Sequence, residues 1–282
     1  MPPFWLSIAV LSLVQGAIVA LAGSLSGVLP ASLRGRRWAA IPPASVIGFV
    51  LIAGAAERAS AHALTYLALV AVPLLAALAL AWLVHGGRPL WALLAPVLFG
   101  LAWVDRGGLA GQTAALILSG LSCVALGVLI AAVTPPRWLA GGIVAMAVSD
   151  TALVVSDLLQ RPNNALNAAH PAAGLPQLQS AVFGTAVMGY GDLFVAGALG
   201  GLLAAALGRS EQLRGAGLVA ILALCFDLLF FFVDELPATV PVALALIVLV
   251  LRRRRRFAAR RSHDLDGIET PAARRKGAPV AR

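Results

Sequence analysis

The chain has 282 residues, of which 60% are hydrophobic and only 12% charged, with a mean hydropathy of +0.92. Soluble globular proteins carry about 25% charged residues, so the composition excludes a soluble domain, a disordered chain and a nucleic-acid-binding domain. It fits an all-α polytopic membrane protein. The net charge of +9 is uneven: residues 252–282 hold eleven Lys and Arg against three Asp and Glu, whereas the rest holds ten against nine.

A spanning helix needs about 20 mostly apolar residues, each rising about 1.5 Å. Apolar blocks between polar, Pro and Gly breaks predict nine membrane helices, at about 5–29, 39–56, 61–84, 89–104, 112–133, 138–159, 179–208, 214–233 and 236–251. The fourth and ninth are short and contain Pro96 and Pro241. No Lys or Arg precedes the first block, so it is expected to be a retained helix rather than a cleaved leader. Arginines in the short loops set the orientation. With the amino terminus outside, Arg34, Arg36, Arg37, Arg88, Arg137, Arg209 and Arg214 fall inside, against Arg58, Arg106 and Arg161 outside. The longest polar connection, 160–178, contains Asn163, Asn164, Asn167 and His170.

The expected organisation is a five-helix scaffold over 1–137, a four-helix half over 138–251 and a disordered basic tail over 252–282. Arg252–Arg256 would anchor the tail on the cytoplasmic side and offer a surface to anionic lipid headgroups. High Ala, Gly and Arg usage points to a bacterial plasma membrane. The chain has two cysteines, Cys123 and Cys225, in separate apolar blocks, and its histidines have no ligand spacing, so neither metal nor cofactor is expected.

Few ionisable groups interrupt the apolar blocks, and charges at bilayer depth usually face a bundle interior or a water cavity. They are Asp150 and Asp157 in the sixth block, Asp192 in the seventh and Asp227 in the eighth, with no basic partner in the blocks. Counting from the cytoplasmic ends, Asp150 lies about 18 Å up, Asp192 about 24 Å and Asp157 about 28 Å. Consecutive antiparallel helices pack together, so Asp192 can meet either acid of the sixth block. Two facing carboxylates share a proton; the ionised one can take a proton from water while the other donates to a carbonyl oxygen. Asp234 and Glu235 are expected to be solvated loop acids before Pro237.

Gly189-Tyr190-Gly191-Asp192 resembles the GxGD signature of intramembrane aspartyl proteases, and the stretch 187–203 resembles the seventh helix of the presenilin and signal peptide peptidase family. Ala147-Val148-Ser149-Asp150-Thr151 resembles that family's sixth-helix motif, with Ser149 where Tyr is usual. Leu236-Pro237-Ala238-Thr239 resembles the Pro-Ala-Leu motif opening its ninth helix, with Thr239 in the place of Leu. The spacing of 42 residues between Asp150 and Asp192, and nine helices with the amino terminus outside, are similar to the signal peptide peptidase branch. The resemblance covers about 138–251. It implies an aspartic endopeptidase with Asp150 and Asp192 as the catalytic pair. A site shaped by Gly189, Tyr190, Gly191, Pro237 and Ala238 would take a single-pass membrane helix or signal-peptide remnant as substrate. Gly189 and Gly191 would loosen the helix and clear space for a substrate backbone.

Residues 188–201 also resemble the motif of type IV prepilin peptidases, with Phe194 where Lys is usual. Asp157, followed by Arg161-Pro162-Asn163, would then be the partner of Asp192. Two further readings use the same acids without proteolysis: a proton-coupled transporter, in which Asp227 takes part, and a catalytically inactive membrane scaffold.

Overall fold

In a computed structural model the described residues are 2–25, 30–55, 57–169, 171, 174–233 and 235–268. They form ten helices: α1 (Phe4–Leu21), α2 (Ile41–Ala55), α3 (Glu57–Leu78), α4 (Leu94–Val104), α5 (Leu109–Val133), α6 (Pro136–Val155), α7 (Gln160–Ala168), α8 (Tyr190–Ala206), α9 (Arg209–Asp227) and α10 (Val240–Ile268). One antiparallel hairpin, β1 (Ser180–Phe183) and β2 (Ala186–Gly189), precedes α8. Five helical segments are long and apolar enough to cross a membrane: Phe4–Leu21, Ala59–Leu83, Leu109–Val133, Pro136–Val155 and Arg209–Phe231. Two more apolar helices, Pro89–Val104 and Tyr190–Ala206, are shorter.

Each predicted block contains helix, and the boundaries follow local chemistry. Pro136 occupies the first turn of α6, where its missing N–H costs nothing. Gly208, with φ of +81°, makes the tight turn from α8 into α9. The block 179–208 departs from expectation, because it opens as a hairpin and turns helical only at Tyr190. Gly184 is the reason. At φ of +60° it is the first residue of a two-residue turn, as a type II′ connection requires. The hairpin is pinned from two helices: the Gly184 N–H donates to Gln112 Oε1 of α5 at 2.7 Å, and the Thr185 N–H to Ser7 Oγ of α1 at 3.3 Å. The polar connection 160–178 contains α7. The tail is helical where a disordered segment was expected: α10 runs on through Arg252–Arg256 to Ile268, along a stretch of Arg and Ala with high helix propensity. Residues 269–282 of that tail, with His170 and Asp234, lie outside the described residues.

Two compact units divide at Ala245–Leu246, inside α10. In the first, α5 packs on α8, α3 and α4, α1 packs on α9 and α8, and α2 packs on α6, so helices from before and after residue 137 interleave. Lipid is as apolar as a leucine core, so close backbone approach rather than apolar burial holds such helices together. The α5–α8 crossing is built on glycine: a Cβ on Gly197 would strike the Cys123 carbonyl, and one on Gly201 would lie 2.6 Å from the Gly127 carbonyl oxygen. On the other side of α8, a Cβ on Gly200 would lie 2.8 Å from the Val19 oxygen of α1. At the far end of α1, fully buried Gln212 of α9 donates to the Val19 and Ala22 carbonyls at 2.7 and 2.6 Å. The second unit, Leu246–Arg282, continues α10 and exposes Arg252–Arg255.

Candidate functional site

Asp192 is the third residue of α8, and the hairpin delivers it there. Gly189 ends β2, opposite Ser180, and caps the helix. The Gly189 N–H donates to Asp192 Oδ2 at 3.1 Å, so the carboxylate folds back over the residue three before it. A Cβ on Gly189 would sit 2.9 Å from that oxygen, and one on Gly191 would sit 3.3 Å from Met146 Cε of α6. The glycines therefore make room for the acid and for the neighbouring helix. They do not loosen a helix around Asp192, because α8 begins only at Tyr190. Tyr190 fixes this start: its hydroxyl hydrogen-bonds Ser122 Oγ at 2.6 Å, and the Cys123 thiol lies 3.8 Å from its carbonyl oxygen.

Asp150 faces the same region from α6 and is 7% exposed. Its holder comes from far along the chain. Thr239, fully buried just before α10, donates its hydroxyl to Asp150 Oδ2 at 2.6 Å, and its backbone N–H acts on the same carboxylate. The Pro237–Thr239 turn is set by the Val240 N–H on the Pro237 carbonyl at 3.1 Å and by Gln15 Nε2 of α1 on the Ala238 carbonyl at 3.1 Å. The charge of Asp150 reaches Asp192 through space.

Both acids line one cavity of about 1120 Å³, together with Gly189, Tyr190, Gly191 and Ala238. Asp227 and Glu235 line it too, and β2 runs along its wall. Asp227 accepts the Ser12 hydroxyl of α1 on Oδ2 at 2.7 Å. Asp157 is not among the residues that line this cavity. It lies past the end of α6 in the left-handed conformation, with φ of +59°, and its charge acts on Glu235. Partial burial and that neighbouring charge push the Glu235 carboxyl above its ordinary range.

Thr239, Ser12 and Gln15 were not among the residues that the sequence singled out as contributors to the site. Thr239 registers in sequence only as a departure from a motif. Ser12 and Gln15 carry a signal that was readable, two polar residues three apart on one face of a mostly apolar helix. Chemically, two carboxylates from different helices lining one cavity can hold a water and divide one proton. No protein-family model, no curated protein and no solved structure matches the chain.

Proposed function

We propose that the chain is an intramembrane aspartyl protease of the kind its GxGD stretch resembles, hydrolysing a peptide bond in a membrane-embedded helix or signal-peptide remnant. The observation that carries this reading is that Asp150 and Asp192, from α6 and α8, line one cavity, each with its carboxylate held by a hydrogen-bond donor, Thr239 for Asp150 and the Gly189 N–H for Asp192. In the reaction a water sits between the two carboxyls. Asp150, which already accepts the Thr239 donors, takes a proton from the water as its oxygen bonds to the scissile carbonyl carbon. Asp192 gives its proton to the carbonyl oxygen, and a gem-diol forms. Collapse of the gem-diol breaks the C–N bond; the leaving nitrogen takes up the proton held by Asp150, and the diol proton returns to Asp192. No metal or covalent intermediate is needed.

The substrate must be extended at the cut, because a helix hides its carbonyls in its own hydrogen bonds. β2 has one strand neighbour, β1, lines the cavity and ends three residues before Asp192. Its other edge suits an extended segment added as a further strand. That role falls to β2 rather than to Pro237–Ala238, since the Ala238 carbonyl already accepts Gln15. The reading keeps nine membrane passes, with the amino terminus outside and Arg252–Arg256 on the cytoplasmic side of a bacterial plasma membrane.

The test is cleavage of a membrane-embedded reporter helix in proteoliposomes by wild type, Asp150→Asn and Asp192→Asn. Wild type cleaves, and each variant loses about 10³-fold or more in rate. No cleavage by wild type, or equal cleavage by all three, overturns the reading.

A further inference from the structure

The same cavity holds polar groups that the hydrolysis does not use. Asp227 closes α9, and only its Oδ2 takes the Ser12 hydroxyl. Gln15 follows Ser12 by three residues on α1, so both project from one helix face. Gln15 is 1% exposed, lines the cavity and directs its Nε2 to the Ala238 carbonyl. That leaves Gln15 Oε1 a buried acceptor with no partner among the described residues. A buried oxygen without a donor is costly and marks a place where a donor is wanted. Glu235 adds a further carboxylate to the lining, and among the described lining residues none is Lys, Arg or His.

We infer that the α1–α9 side of this cavity, Asp227 with Gln15, is a subsite for a positively charged side chain of the substrate, an ammonium or guanidinium carried beside the segment to be cut. The inference rests on the proteolytic reading for what enters the cavity, and it names the class of substrate. A neutral donor such as a backbone N–H or a hydroxyl would satisfy Gln15 Oε1 and leave the Asp227 charge unanswered. An ammonium or guanidinium answers both, with several N–H donors and one positive charge. Asp227 stands 18 residues beyond Arg209 on α9, about 27 Å from its cytoplasmic end, so the charge it takes belongs to the outer end of a segment and not to the cytoplasmic end where Lys and Arg are common. The subsite therefore sets which end of such a segment is drawn in, and how far the bond to be cut lies from the charge.

The test uses the full-length protein with Asp192→Asn, so that binding is read without turnover. Reporter helices are identical except for one position, scanned along the segment, that carries Lys, Gln or Glu. At one position the Lys reporter binds about tenfold more tightly than the Gln reporter, as a partly desolvated charge pair allows. Adding Asp227→Asn, which keeps an acceptor for Ser12, abolishes that preference, and Asp227→Lys turns it toward the Glu reporter. Equal binding of Lys and Gln reporters at every position, or a Lys preference that survives Asp227→Asn in a protein of unchanged melting temperature, overturns the inference. Cleavage is followed separately in wild type. A protein that prefers the Lys reporter yet cuts none of them keeps the subsite and removes the protease.

Discussion

Asp192 is held by its own neighbourhood: three residues back, Gly189 offers an N–H, and the space that a side chain would have taken is filled by the carboxylate itself. Asp150 is held from a distance, by a threonine 89 residues further along the chain. Two chemically identical groups thus reach one cavity by opposite routes, one written into a four-residue motif and one assembled only when the Pro237–Thr239 turn reaches α6. Such a site is robust where its support is local. The Asp192 arm is as stable as the start of α8, whereas the Asp150 arm depends on a loop, Pro237–Thr239, that α1 must hold in place through Gln15.

The largest loss is expected at the seat of α8. Gly197→Val puts a branched side chain where the Cys123 carbonyl stands, and the backbones of α5 and α8 must part. Overpacking of this kind costs on the order of 3 kcal/mol. Thermal melting in detergent is expected to drop sharply for Gly197→Val, whereas Gly217→Val, at a position where a Cβ meets nothing within 4 Å, leaves melting near wild type.

Next in size is the loss of the distant support. Thr239→Val removes the hydroxyl donor to Asp150 at nearly constant volume and leaves Asp192 untouched. A hydrogen bond to a charged group contributes about 1.5–3 kcal/mol, so turnover of a reporter helix should fall about 10- to 100-fold with KM unchanged. Thr239→Ser, which keeps the hydroxyl, should restore most of the rate. A KM that rises in step with the fall in turnover would instead assign Thr239 to packing. The matching cut at the local support is Gly189→Ala, whose Cβ would stand 2.9 Å from Asp192 Oδ2. The carboxylate swings aside to relieve the contact, and misplacing a reacting group by a fraction of an ångström lowers turnover about tenfold. The expected effect is the smaller of the two, because a flexible carboxylate can yield where a missing donor cannot be replaced.

These two supports also mark what the sequence could and could not convey. Runs of Leu, Ala and Val betray helices because each run is its own signal, and every predicted block contains one. The hairpin inside 179–208 stayed hidden because Ser180–Phe183 and Ala186–Gly189 are as apolar as the helix that follows, and hydropathy does not separate a buried strand from a buried helix. Gly184 was the readable cue, a turn residue between two short apolar runs. The helical tail was missed because a dense run of Arg reads as solvated chain, although Arg and Ala both favour helix. Asp192 announces itself through its flanking glycines. The Thr239 bond to Asp150 joins residues with no local relation, and nothing in either segment states it. The same is true of Ser12 with Asp227 and of Gln15 with Ala238.

The least change is expected where a carboxylate belongs to neither support. Glu235 is exposed, and the Asp157 charge together with partial burial holds its carboxyl above the ordinary range in the folded protein. In the window between the unfolded and the raised folded value, the folded state binds more protons than the unfolded one. Stability therefore falls as pH rises through that window and is fully retained below it. Asp157→Asn removes the neighbouring charge but not the burial, so it should shrink that loss and leave part of it. Solvent screens both groups, which limits the gain to no more than about 0.5 kcal/mol above the window. The measurement is the melting temperature of wild type and Asp157→Asn on either side of the window, with reporter cleavage run in parallel. Coinciding cleavage rates keep Asp157 outside the chemistry. A collapse of cleavage in Asp157→Asn, at unchanged melting temperature, would move the partner of Asp192 from Asp150 to Asp157 and turn the reading toward the prepilin peptidase arrangement.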